Sequence, residues 1–170
     1  IYDSLSRITQ ETINGRSIAK TYDGVGNVIN RTYPSGRVVA NSYDALNRLT
    51  AIQQTPTPEG ILENIFGADT ANILNAQYIG KDRPREITFG NNIKTEFAYD
   101  QLKRLTSLNT EHGTENIEQF SYGYDKAGNR LFEEGQTAET ERKTFDYDSI
   151  YRLTRVAQPS VTQQWTFDGV

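Results

Sequence analysis

The chain has neither cysteine nor methionine among its 170 residues. Without cysteine there is no disulfide and no thiolate metal ligand, a usage that fits secretion without requiring it. Without methionine the first residue is not a native start. We therefore expect a fragment of a longer protein, in which the lack of a signal sequence carries no information. Charge of one sign is lacking too: 18 Lys and Arg stand against 22 Asp and Glu, and no basic block appears. That speaks against nucleic-acid binding. No apolar run approaches the length of a membrane span, about 20 residues.

Signs of catalysis are equally sparse. No nucleophile elbow, phosphate loop or zinc signature is present, and no pair of carboxylates is marked out for acid–base work. The one histidine, His112, lies in Asn109-Thr110-Glu111-His112-Gly113-Thr114, which reads as a solvated polar loop. We expect no catalytic residue, no cofactor-binding residue, no metal ligand and no enzyme. The apolar fraction, 35%, is low for a compact globule, and mean hydropathy is −0.68. Yet 11% aromatic residues, with regular Val, Ile and Thr, can bury enough surface to order a chain. The balance implies a thin sheet wet on both faces.

What the chain does have is repetition. An aromatic residue, any residue, a second aromatic and an aspartate recur as Phe97-Ala98-Tyr99-Asp100, Tyr122-Gly123-Tyr124-Asp125, Phe145-Asp146-Tyr147-Asp148 and Trp165-Thr166-Phe167-Asp168. Tyr2-Asp3, Tyr22-Asp23 and Tyr43-Asp44 keep the second half. A motif that returns every 20 residues or so marks an array of small units. In a strand, residues i and i+2 share a face, so each full copy puts two rings on one side.

Two turn types follow the aspartate. Asp-x-Leu/Ile-x-Arg-Leu/Ile-Thr occurs at Asp3, Asp44, Asp100 and Asp148, and Asp-x-Val/Ala-Gly-Asn at Asp23 and Asp125. They nearly alternate. Tyr78-Ile79-Gly80-Lys81-Asp82-Arg83 reads as a degenerate copy of the second type, with Ile79 in the aspartate's place. Aspartate closes turns because its carboxylate accepts hydrogen bonds from backbone N–H groups just ahead. Gly26 and Gly128 can supply positive φ without a Cβ penalty. Each unit is thus strand, turn, strand, and the fold class expected is an all-β antiparallel meander of repeated hairpins over residues 1–170.

Thr32 to Ile52 aligns without gaps on Thr88 to Leu108, sharing Thr32/Thr88, Tyr43/Tyr99, Asp44/Asp100, Leu46/Leu102, Arg48/Arg104, Leu49/Leu105 and Thr50/Thr106. Each stretch holds an upstream turn, Pro34-Ser35-Gly36 against Gly90-Asn91-Asn92. About residues 53–77 the pattern is less regular: Thr55-Pro56-Thr57-Pro58 opens a segment whose Ile61, Leu62, Ile65 and Phe66 fit a helical face or a pair of strands. We lean to strands there, since all the neighbours are strands. Pro34, Pro56, Pro58, Pro84 and Pro159 all fall outside the aromatic-Asp strands, as sheet pairing requires.

The Tyr-Asp-x-x-x-Arg-Leu-Thr copies at Tyr43, Tyr99 and Tyr147 resemble the YD repeat, also called the Rhs repeat, as found in Rhs toxins, the BC shells of insecticidal toxin complexes and teneurins. The resemblance covers most of the chain outside about Gln53 to Gln77. It implies a β-sheet strip that spirals into a hollow shell, enclosing in the bacterial toxins a C-terminal toxic domain. The chain is too short to close such a shell alone, lacks the family's aspartyl self-cleavage segment and carries no evident toxin domain. The role implied is structural: a wall segment of an extracellular or secreted bacterial protein, encapsulating cargo in a longer parent. The partners implied are the remainder of that parent, identical copies meeting through exposed sheet edges, and an enclosed cargo domain.

Two other functions fit the residues: a self-assembling surface fibre, and an adhesive array whose partners are glycans stacked on the rings. The Asp-x-x-x-Arg-Leu-Thr turn is absent from choline- and glucan-binding repeats, which favours the wall. Calcium held by the aspartates is weighed against simple turn capping, and capping needs only one carboxylate per hairpin. Arg48, Arg104 and Arg152 could bind anions, but are expected to pair with acidic groups on adjacent strands or to stack on rings.

Overall fold

The computed structural model describes residues 1–55, 72–136 and 142–167. Among these residues every regular element is a strand. A first unit, Ile1–Ile93, contains β1 (Gln10–Ile13), β2 (Arg16–Tyr22), β3 (Val28–Thr32), β4 (Val38–Tyr43), β5 (Leu49–Thr55), β6 (Asn72–Ile79) and β7 (Arg83–Phe89). A second, Lys94–Val170, contains nearly all of β8 (Ile93–Tyr99), then β9 (Leu105–His112), β10 (Glu115–Tyr124), β11 (Arg130–Gly135), β12 (Lys143–Tyr147), β13 (Leu153–Gln158) and β14 (Val161–Gln164). Within each unit every strand lies beside the one before it, so each is an antiparallel meander.

The thin, wet sheet is what forms. Ala76, 8% exposed, is the one buried hydrophobic residue among those described. With no thick core, the polar stretches can be strands as well. Asn109 to His112, read as loop, belong to β9, and Gly113 and Thr114 alone make its turn to β10. A strand solvated on both faces has no need of apolar alternation, so composition hid it. The irregular segment is strand at both ends: Gln53 pairs Ala40 in β4, and Ala76 in β6 pairs Ile87 in β7. Ile61, Leu62, Ile65 and Phe66 lie outside the described residues.

The turns after the aspartates are three-residue loops in which the last residue has positive φ, the usual form of such a hairpin. Gly26 and Gly128 adopt it at 100° and 97°. The other turn type adopts it without glycine, at Ser6, Asn47, Lys103 and Tyr151, where φ is 62°, 59°, 71° and 67°. Asparagine tolerates this region; lysine and tyrosine are strained there by roughly 1–2 kcal/mol. Tyr151 is also largely exposed, so its ring contributes little in return. Tyr151→Gly is therefore expected to stabilise the chain by about 0.5–1 kcal/mol in urea unfolding, after glycine's extra unfolded-state freedom is deducted. A loss of stability would mean that the ring has a contact worth more than the strain.

A second irregularity follows the turns at Asp23, Asp44, residues 80–82, Asp125 and Asp148. Tyr22 pairs Val28 while Thr21 pairs Asn30, which leaves Ile29 without a partner across the ladder. Thr50, Arg85, Leu131 and Thr154 are skipped in the same way. Such a bulge bends its strand and increases the twist. Pro84 sits beside one, opposite Tyr78 at the start of β7, where its missing N–H is tolerated.

Candidate functional site, a row of linked turns

All the aspartate turns of a unit fall on one edge of its sheet, because successive copies are separated by a full hairpin. In the first unit these are the turns at Asp3, Asp23 and Asp44 and the turn at residues 80–82. In the second they are the turns at Asp100, Asp125 and Asp148.

Each aspartate closes its turn with both carboxylate oxygens. Oδ1 of Asp44 accepts from the backbone N–H of Leu46 at 2.8 Å and of Arg48 at 3.1 Å. Oδ2 accepts from Arg48 Nε at 2.7 Å. Asp3 with Arg7, Asp100 with Arg104 and Asp148 with Arg152 repeat the Nε bond at 2.7, 2.7 and 2.6 Å. In the second turn type asparagine replaces arginine: Asn27 Nδ2 reaches Asp23 and Asn129 Nδ2 reaches Asp125, both at 2.8 Å. The arginines do pair with acidic groups, as expected, but with the aspartate four residues back in their own turn rather than on an adjacent strand.

Arg7, Arg48 and Arg104 also reach the next turn. Arg7 lies over the Tyr22 ring at 4.6 Å and donates from Nη1 to Asp23 O. Arg104 lies over Tyr124 at 4.7 Å and donates to Asp125 O at 2.7 Å. Arg48 does the same with Tyr78, at 4.5 Å, and with the carbonyls of Gly80 and Lys81. The degenerate copy thus keeps the ring and the receiving carbonyls while lacking the aspartate. Its loop differs: positive φ falls on its first residue, Gly80, at 63°.

The tyrosine completes the link in the other direction. Tyr22 Oη donates to Ile8 O at 2.6 Å, Tyr43 to Val28 O at 3.2 Å, and Tyr78 to Leu49 O at 2.8 Å. Tyr124 donates to Leu105 O at 2.8 Å and Tyr147 to Arg130 O at 3.0 Å. The acceptor is always the residue that leaves the preceding turn. The Tyr22, Tyr78 and Tyr124 rings thus pack under guanidinium groups, and all five tyrosines fasten by their hydroxyls; the stacked pair Phe120 and Tyr122, 6.3 Å apart, lies along one strand. The sequence did carry a signal for this, since the residue before the aspartate is tyrosine in six of the seven motif copies.

Hydrogen bonding holds these carboxyls below their ordinary value of 3.8. The backbone N–H of Arg7 and of Arg104 leads at Asp3 and Asp100, the Arg48 side chain at Asp44 and the Asn129 amide at Asp125. At Asp23 and Asp148 desolvation pushes upward, and the bonds from Asn27 and Arg152 outweigh it. A carboxyl depressed in the folded state contributes stability above its unfolded value and loses it as pH falls through the folded one. Urea midpoints are therefore expected to be nearly level from pH 7 down to about 5 and to fall only below about 4. A large loss already between pH 7 and 5 would put the acid-sensitive groups elsewhere.

The other residues weighed for chemistry are placed as follows. His112 stands at the end of β9, opposite Glu115. No group of three metal-ligating side chains forms among the described residues. No described helix is long and apolar enough to cross a membrane.

A family model described as RHS Repeat matches residues 22–57, a stretch that holds one turn of each type, at Asp23 and Asp44. No curated protein matches the chain. Among solved structures, the crystal structures of TcdB2-TccC3, TcdB2-TccC3-TEV and TcdB2-TccC3-Cdc42 are similar to it, with TM-scores of 0.63, 0.64 and 0.63. Each is 20% identical and matches 83% of this chain, but this chain spans only 7% of theirs. At that identity the likeness concerns the fold. Residues 22–57 match the RHS repeat, and the turns before and after carry the same Tyr-Asp geometry, so the resemblance to the YD, or RHS, repeat holds along the described chain.

Proposed function

We propose that the chain is a wall segment of a secreted or extracellular shell, which in a longer parent encloses a cargo domain such as a toxin. Its role is structural rather than catalytic. One observation carries this reading: every turn along an edge is fastened to the next by a tyrosine hydroxyl, and every second one by an arginine as well. Stability therefore passes from neighbour to neighbour without a thick core, as a wall of any length requires. The likeness of fold to the TcdB2-TccC3 crystal structures supports it.

The reading predicts that the two faces of the sheet differ in access. Lys20 and Thr21 are adjacent in β2 and so lie on opposite faces. The lack of native cysteine allows Lys20→Cys and Thr21→Cys to be introduced singly into the parent protein. With a bulky maleimide, one position is expected to label and the other to be shielded until the protein is denatured. Equal labelling of both in the native state would favour an open strip or fibre.

A further inference from the structure

In the first unit, Leu5, Val25 and Leu46 occupy the same place in three successive turns, two residues after the aspartate. They are 67%, 71% and 56% exposed. Turns are dominated by Gly, Pro, Asn, Asp and Ser, so three aliphatic side chains at one turn position need a cause. They are also held firmly. The N–H groups of Leu5, Val25 and Leu46 donate to Oδ1 of Asp3, Asp23 and Asp44 at 2.9, 3.0 and 2.8 Å. The carboxylate that closes each turn thus fixes an apolar tip. Beside the tips stand Ser4, Ser6, Gly24, Gly26, Ala45 and Asn47, all uncharged and mostly small. Among the described residues, the opposite edge turns through Asn14-Gly15, Pro34-Ser35-Gly36 and Gly90-Asn91-Asn92, with no aliphatic side chain within the turn.

We propose that this edge is a self-association surface, whose occupant is the same edge of a second copy of the chain. Two features select that occupant. The first is pitch. Successive tips are two strands apart, about 9.6 Å. A helix presents its side chains on a 5.4 Å repeat, whereas an identical row of turns matches by construction. The second is charge. The residues beside the tips are uncharged, Arg7 and Arg48 are paired with Asp3 and Asp44, and Lys81 in the fourth turn stands next to Asp82, so no basic patch favours a membrane surface or nucleic acid, and the small neighbours let two edges approach closely. A two-fold axis through Val25 sets Leu5 of one copy against Leu46 of the other and Val25 against Val25. Three tips a side make a small contact, so the association is weak and forms at high protein concentration.

The test uses the 170-residue chain. Val25→Asp introduces a turn-favouring residue, so the hairpin is retained while the contact gains facing charges. Sedimentation is expected to show self-association weakened by about tenfold or more in Val25→Asp and unchanged in Ser35→Asp on the opposite edge. In a chain without cysteine, Val25→Cys is expected to form a disulfide-linked dimer on mild oxidation, well ahead of Ser35→Cys. Equal cross-linking of the two, or a wild-type chain monomeric at every concentration, would overturn the proposal. So would association that survives Val25→Asp but is lost in Thr162→Pro, which would place the contact at the open backbone of β14 instead.

Discussion

Replacing Tyr124 by alanine is expected to cost about 3 kcal/mol in urea unfolding, the larger part of what a repeat this thin can lose at one site. The ring is half-buried and has no thick core around it, so its value lies in two specific contacts. Arg104 covers one face at 4.7 Å, and the hydroxyl donates to Leu105 O at 2.8 Å. Truncating a buried aromatic costs 3–5 kcal/mol, and partial exposure reduces that. The unmet carbonyl and the loss of the cation–π contact add back about 1 kcal/mol each. Tyr124→Phe keeps the ring beneath the guanidinium and removes the hydroxyl alone, so it is expected to cost about 1 kcal/mol. If the phenylalanine variant were as damaged as the alanine one, the hydroxyl would be the whole of the effect. If both were neutral, the turn-to-turn link would have no energetic meaning.

Gly90→Ala is expected to be about as damaging, for a different reason. A Cβ at Gly90 would lie 2.0 Å from the backbone carbonyl oxygen of Asn72. That oxygen belongs to a strand and cannot swing aside like the end of a side chain. The Gly90 N–H is bonded to Ile73 O at 3.0 Å, so relief means parting β6 from β7 at this end. Overpacking of this kind costs about 1–3 kcal/mol or more, and we expect about 3. Hydrogen exchange should quicken at Ile73 to Gln77, whereas Gly36→Ala, at a turn where the added Cβ meets nothing, should cost only the strain of its φ of 81°. Normal exchange in the Gly90 variant would show that the two backbones are less tightly opposed.

The contrast with Gly123 shows how a glycine's purpose escapes the sequence. In Tyr122-Gly123-Tyr124 it reads as the neutral spacer between two rings. In the fold the Phe132 ring lies against it, 2.0 Å from where a Cβ would stand. Nothing in the spacing of Phe132 from Gly123 announces that, because cross-strand pairing depends on the register, and a bulge shifts the register here.

By itself the sequence determined the repeat, its strand–turn–strand content, the capping role of the aspartates and the lack of a thick core. These are local or compositional properties. An aspartate bonds to amides two and four residues ahead, and 35% apolar residues cannot fill a large interior wherever they are placed. Only the tertiary structure decided what joins one turn to the next. Arg7 meets Tyr22, Arg48 meets Tyr78 and Arg104 meets Tyr124 across gaps of 15, 30 and 20 residues. The unequal gaps become one geometry because each pair of strands returns its turn to the same edge whatever the length of chain between the two turns. The tertiary structure also decided the bulges after the turns, the positive φ at Lys103 and Tyr151, and the strand formed by Asn109 to His112. Each of these depends on which residue faces which across a ladder, a relation between distant segments that no single window of the chain contains.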